Sequence, residues 1–236
     1  MAKDMPALIC DSSALISITD ACFIHMLYLL QKSFRGQFII PPSVQYESIE
    51  HPRRVRTHAI YALRLARAVQ DGILKVVKPQ DSGLMTQLLT LANNSFYVEG
   101  KPLELIQAGE TECLALAIET GVRDLLVDER TTRVLIESPD EFTEHLKQEF
   151  GPRLKVNSEN LETFLSLCHS LRFYRSNEIV LLAYEKGYFR DYGPMEMEAL
   201  EAALYRIKYS GCALSAGEIE EGMEIETSGN GKPGRR

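Results

Sequence analysis

The sequence predicts an α/β fold of three layers, a central parallel sheet between helices, followed by an all-helical extension. Three observations carry this. Short apolar runs at residues 7–10, 37–40, 73–77 and 125–127 alternate with helical segments, as in parallel strands joined by helical crossovers. Two of the runs end on a carboxylate, Asp11 and Asp128, so these acids fall at strand C-termini, the edge where open α/β sheets bind ligands. Beyond Asn157 only helical patterns remain.

The elements follow in order. The first run leads into a helix begun by Asp11-Ser12-Ser13, residue types that cap helix N-termini. A second helix covers 22–33. After strand 37–40, Pro41-Pro42-Ser43 starts a helix carrying Glu47, since proline is tolerated in a first turn. Residues 55–69 are helical, with Val55, Ala59, Ala62, Ala66 and Val69 on one apolar stripe, and Asp71-Gly72 stops them. Strand 73–77, a helix around 84–91 and a loop over 93–101 come next. Glu110 opens the helix GETECLALAIETG; its neighbours Cys113, Leu114 and Ala117 place it on the apolar face. Glu112 points to another face and reads as solvated. Strand 125–127, a helix from Glu129 and a short strand at 154–156 complete a domain over 1–157.

In the extension, 158–216, one helix carries Leu161, Phe164, Leu165 and Cys168, and a second, opened by Ser176, carries Ile179, Leu182 and Ala183 and ends at Gly187. Pro194 starts a third through Leu200 and Leu204, and Ser215 with Glu218 has capping-box spacing. Short helices with such apolar faces need cover, from the first domain or from a second copy of the chain. Residues 217–236, acidic and then glycine-rich, read as a disordered tail.

Composition narrows the classes. At 236 residues there is length for a real core, and 45% hydrophobic with 25% charged residues is ordinary for a globular protein. The sequence lacks a membrane-length apolar stretch, a signal-peptide layout and any C-x-x-C pair. It therefore predicts no membrane contact, a cytoplasmic location, and Cys10, Cys22, Cys113, Cys168 and Cys212 as small buried hydrophobes. The net charge of −7 does not veto a nucleic-acid partner, because distribution matters more. Residues 51–70 hold Arg53, Arg54, Arg56, Arg64 and Arg67 and no Asp or Glu. Arg56, Arg64 and Arg67 fall on one helix face opposite the stripe, as a solvated charged face or as a phosphate-binding one.

The chemistry lies in Asp11, Glu47, Glu110 and Asp128. For any one of them a cap or a surface charge is the ordinary reading. Their recurrence at equivalent places is what points to a shared site: buried carboxylates that converge need cations, and hard divalent ions prefer oxygen ligands, so Mg²⁺ or Mn²⁺ is implied. Pattern alone does not separate Glu47 from Glu50, one turn away. His51 and His58 show no paired nucleophile or acid and read as surface residues, while Tyr174, Tyr184, Tyr188 and Tyr192 read as packing. A haloacid dehalogenase-like phosphatase would need an acid where Ser13 stands, and a response-regulator receiver would need an acid pair near Asp11, where only distant Asp4 is present.

Taken in order, LICDSSALI, FIIPPSVQYESI, AGETECLALA and DLLVDERTTRVL resemble the PIN domain over roughly the first two-thirds of the chain. The resemblance implies a Mg²⁺- or Mn²⁺-dependent endoribonuclease with Asp11, Glu47, Glu110 and Asp128 as catalytic acids, of which Asp11, Glu110 and Asp128 hold the metal. It favours Glu47 over Glu50, places a second acid at Glu129, and puts a polar residue near Thr131 and Thr132 that assists the metal or caps a helix. RNA over DNA rests on the resemblance alone. Small members of the family include toxins of toxin–antitoxin pairs, so an antitoxin-like partner, another protein partner or a homodimer is implied. The stretch VLIESPDEFTEHLKQEFG after Arg133 and the helical extension depart from the compact toxin pattern. The alternative is a PIN fold that binds RNA or scaffolds without cleaving, or a nuclease silenced by a partner.

Overall fold

A computed structural model describes residues 6–229, with side chains to Glu226. The chain runs β1 (Ala7–Cys10), α1 (Ser12–Asp20), α2 (Ile24–Phe34), β2 (Gln37–Ile40) and α3 (Pro42–Gln45). Helix α3 continues as a π-helical turn, Tyr46–Glu50, and a 3₁₀ turn, Pro52–Arg54. Next come α4 (Ala59–Gln70), β3 (Leu74–Val76), α5 (Ser82–Asn93), β4 (Phe96–Val98), β5 (Lys101–Pro102), α6 (Ala108–Thr120) and β6 (Asp124–Leu126). The rest is α7 (Arg130–Glu137), α8 (Pro139–Phe150), β7 (Leu154–Val156), α9 (Ser158–Cys168), β8 (Arg172–Tyr174), α10 (Ser176–Glu185), α11 (Glu196–Tyr209) and α12 (Ala216–Gly229).

Five strands form a parallel sheet in the order β3-β2-β1-β6-β8, with helices packed against it. Its apolar runs are buried because helices cover them: Ile9, Cys10, Ile39, Ile40, Leu125 and Leu126 have no exposed surface. Since all strands point one way, Asp11, Pro41, Asp128 and Ser176 emerge at the same edge. The order reverses between β1 and β6, so the crevice lies where Asp11 and Asp128 leave the sheet. Among the described residues, no single helix is long and apolar enough to cross a membrane.

Several expectations shift. The loop over 93–101 is instead a hairpin, β4 with β5, turning through Glu99 and Gly100 at φ 53° and 80° as a primed turn requires. Strand β7 forms at 154–156 but joins that hairpin in a small antiparallel sheet and not the central one. The helix expected over 55–69 starts at Ala59, and its buried side is Tyr61, Ala62, Leu65 and Ala68, leaving Val55 exposed. The residues before Ala59 form turns around Pro52.

The stretch after Asn157 is helical except at one place. Arg172–Tyr174 pairs in parallel with β6 and becomes the outer strand of the central sheet, with Tyr174 O accepting from Val127 N at 2.8 Å. A three-residue strand is too short to show a period, which is why the sequence hides it. The helices dock as their apolar faces require: α9 packs on α5, α10 on α1 and α2, and α11 on α10, burying Phe164, Ile179, Ala183, Leu200 and Leu204. Tyr192 is exposed, unlike Tyr184.

The disordered reading of 217–229 is also corrected, because α12 is helical there; residues 230–236 lie outside those described. Ser215 and Glu218 form the reciprocal cap, Glu218 pairs with Arg175 at 2.8 Å, and Ile219 is buried. Burial works against the Glu218 carboxylate, but the Ser215 N–H, Arg175 and the Ser215 hydroxyl outweigh it and hold its pKa at about 2. Four cysteines are buried as expected. Cys22 is exposed, held at φ 68° in the turn between α1 and α2.

Candidate functional site

Asp11 ends β1 and caps α1: its Oδ2 accepts from Ser13 N at 3.0 Å and Ser13 Oγ at 2.6 Å, and only 3% of the residue is exposed. The cap and the candidate metal ligand are thus one side chain. Burial raises its pKa, the Ser13 hydrogen bonds oppose this, and Glu129 adds to the rise.

Glu110 sits in the first turn of α6, where Gln107 N donates to its Oε2 at 3.0 Å. Burial raises its pKa, with further contributions from Asp11 and Glu129. Glu47 lies on the π-helical turn, an irregularity frequent at functional sites. Ser12 Oγ donates to its Oε2 at 2.9 Å. Its pKa is raised by burial, then by Asp11 and Glu112. Asp11, Glu47, Glu110 and Glu129 therefore share one electrostatic neighbourhood, with Asp11 at its centre.

Gly109 explains how Glu47 reaches that neighbourhood. A Cβ at Gly109 would meet Glu47 Oε1 at 2.9 Å, so the bare backbone makes room for the carboxylate. Glu112, expected to be solvated, accepts from Ser43 N at 2.9 Å and ties α6 to the start of α3. It holds the segment that presents Glu47.

Asp128 departs most from expectation. It is buried at 2% exposure, but its Oδ1 accepts from Ser176 N and its Oδ2 from Ser176 Oγ, both at 2.7 Å. Its carboxylate anchors the first residue of α10, where a helix N-terminus favours an anion. The acid beside it, Glu129, caps α7, accepting from Thr131 N at 2.8 Å and Thr132 N at 2.7 Å, and its charge adds to the raised pKa of Asp11 and of Glu110. Ser13 bridges the two strand ends, its Oγ also accepting from Asp128 N at 3.2 Å. Sequence reading treats Ser13 only as a cap and Ser176 only as a helix start, because both bonds to Asp128 span more than a hundred or some fifty residues.

Asp11, Glu110 and Thr132 line a tight crevice with Cys113, Val127 and Phe173, closed enough that no water fits as it stands. Thr132 Oγ1 is buried there with no hydrogen-bond partner among the described residues. An orphaned hydroxyl costs about 1–3 kcal/mol, a cost that a polar ligand reaching this atom would remove. The donors present, carboxylates and a hydroxyl, are all oxygens and suit Mg²⁺ or Mn²⁺. Among the described residues, no three Asp, Glu, His or Cys side chains close on a common point.

The expected arginine face does not form. Arg56 lies in the turn before α4; the Arg64 guanidinium donates to Thr19 O at 3.1 Å and to Cys22 Sγ at 3.3 Å; and Arg67 pairs with Asp71 at 3.0 Å. The stop signal Asp71 is the compensating acid for Arg67, four residues on.

Comparison with known proteins yields no match among curated proteins and none among solved structures. A family model described as a PIN domain matches residues 7–138, more than half of the 236. That span begins with β1 and ends with α7, enclosing Asp11, Glu47, Glu110, Asp128, Glu129 and Thr132. The chain belongs to the PIN-domain family.

Proposed function

We propose that the protein is a Mg²⁺- or Mn²⁺-dependent endoribonuclease whose cleft is built from Asp11, Glu47, Glu110 and Glu129 with the Thr132 hydroxyl. A nuclease-type fold is what the family gives. The observation that carries the finer reading is the orphaned Thr132 Oγ1 buried beside Asp11 and Glu110. A divalent ion there would supply an activated water and neutralise charge on a scissile phosphate. The chain's own part is positional. Ser13 fixes Asp11, the N–H groups of α7 fix Glu129, and Ser12 with Gly109 admits Glu47. Asp128 supports this arrangement from outside, by holding α10 against the sheet end.

The test is thermal unfolding with and without Mn²⁺, beside cleavage of labelled RNA. At free Mn²⁺ near a hundred times its Kd the fold should gain about 2.7 kcal/mol, or about 5–10 °C in Tm. A melting temperature indifferent to Mn²⁺ and Mg²⁺, with cleavage undiminished in EDTA, would sink the metal reading. The second reading, an RNA-binding PIN fold that does not cleave, draws on the occupation of both Asp128 oxygens by Ser176. RNA binding without cleavage in either ion would favour it.

Gly109 offers a finer probe. Gly109→Ala should leave the unfolding free energy within about 1 kcal/mol of wild type, because alanine favours helix and only a flexible carboxylate has to give way. Its Mn²⁺ affinity, read by the same thermal shift, should drop about tenfold or more, since displacing a supporting group typically costs that much. An unchanged affinity would remove Glu47 from the metal site.

A further inference from the structure

Arg53, Arg54 and Arg56 are exposed, and their guanidinium groups make no ion pair among the described residues. Arg67, Arg172, Arg175 and Arg206 are by contrast all paired with carboxylates. The three free arginines stand in a stretch, 51–70, without an acid, in a chain of net charge −7. Glu47 and Glu50 precede them, bonded to Ser12 and Gln45, and neither forms an ion pair with these arginines. A local positive surface thus follows directly on the turn that carries a candidate catalytic acid.

The same turn carries an aromatic ring. Tyr46, immediately before Glu47, is 48% exposed, and its ring lies 6.1 Å from that of His51 at 42°. Helix α4 packs against this turn and exposes Ile60 and Leu63, large side chains that the core leaves uncovered. Free guanidinium groups bind phosphates through their planar fork, and an exposed ring stacks on any base whose face is open.

We propose that residues 46–63 form the surface that holds single-stranded RNA beside the acid cluster, with Arg53, Arg54 and Arg56 on phosphates and Tyr46 under a base. The choice of RNA rests on the nuclease reading above. A single strand is specified because a stacked duplex hides the base faces that Tyr46 would meet. Tyr46 and Glu47 share one short turn, so a strand held on this surface lies along the segment that carries a candidate catalytic acid. Recognition should be insensitive to sequence, since phosphate and ring contacts read none.

Binding is measured on the full chain in EDTA, where cleavage does not intervene, with labelled oligouridine of about a dozen nucleotides and the same strand annealed to oligoadenosine. Wild type should prefer the single strand. The triple variant Arg53→Gln, Arg54→Gln, Arg56→Gln should bind at least about tenfold more weakly, with a salt slope shallower by about 2, since each lost phosphate contact in a single strand removes about 0.7. Tyr46→Ala should weaken single-strand binding about tenfold and leave duplex binding unchanged. Both variants should melt with wild type, because the altered side chains are exposed. Unchanged RNA affinity and salt slope in the triple variant would overturn the proposal, as would a variant that changes only oligomeric state by light scattering, which would mark the surface as a protein interface. Cleavage of the same RNA in Mn²⁺ separates the two readings. Weakened binding by the variant with no cleavage by wild type would refute the nuclease and keep the surface; cleavage with unaltered binding would do the reverse.

Discussion

Asp11→Asn should abolish divalent-dependent cleavage, by more than about a hundredfold, and at the same time make the metal-free protein at least as stable as wild type at neutral pH. The activity loss follows because a central acid of the cleft is removed, and even outer groups at metal sites are worth about 10–100-fold. The stability gain follows from sign. The Asp11 pKa is raised above 3.8, chiefly by burial, so the folded state holds a proton that the unfolded state releases. Wild type then loses stability as pH rises from about 3.8 through the raised value, and stays at that lower level above it. Asparagine carries no charge and still accepts from Ser13, so the variant should lose this slope, and the two proteins should converge in acid. Urea titrations across pH on the EDTA-treated proteins read the difference. A variant that cleaves at the wild-type rate, or that is less stable than wild type at neutral pH, would contradict this account.

Asp128→Ala should destabilise the fold by about 3 kcal/mol, which for a chain of this size lowers Tm by about 6–12 °C. Removing the carboxylate leaves Ser176 N, in a residue with no exposed surface, without its 2.7 Å acceptor at the N-terminus of α10. Ser176→Ala loses only the hydroxyl bond, and Asp128→Asn keeps one acceptor, so both should cost less. In the double-mutant cycle the two positions should couple by about 1–3 kcal/mol. Metal affinity should respond less to Asp128→Ala than to Asp11→Asn, because Asp128 faces Ser176. If Asp128→Ala melts with wild type while losing Mn²⁺ binding outright, Asp128 is a metal ligand and the anchoring role fails.

Together these substitutions separate a cleft acid, Asp11, from an anchoring one, Asp128. Asp128 and Glu129 are neighbours in sequence, yet the first holds the C-terminal segment while the second caps α7 and adds its charge to that around Asp11 and Glu110. The C-terminal segment is accordingly part of the site's support. It contributes β8 to the sheet, α10 to the Asp128 anchor and Arg175 to the cap of α12.

The sequence alone determined the architecture at the level of period and punctuation. Four apolar runs became the strands β1, β2, β3 and β6 of the central sheet, and Asp11 and Ser215 cap helices, because strand burial and capping are local signals. It also put Asp11 and Asp128 at the same sheet edge, since strand direction fixes where a strand-end residue emerges. Only the tertiary structure decided which way the next side chains turn. Asp128 and Glu129 differ by one residue, yet Asp128 is held across the fold by Ser176 while Glu129 caps its own helix through Thr131 N and Thr132 N. Arg64 and Arg67 look free in sequence, but Thr19 O and Asp71 take them, leaving the exposed positive charge on the loop before α4. Strand β8 is likewise invisible in its own residues: three positions carry no period, and it is a strand only because the open edge of β6 supplies the hydrogen bonds that its backbone must make.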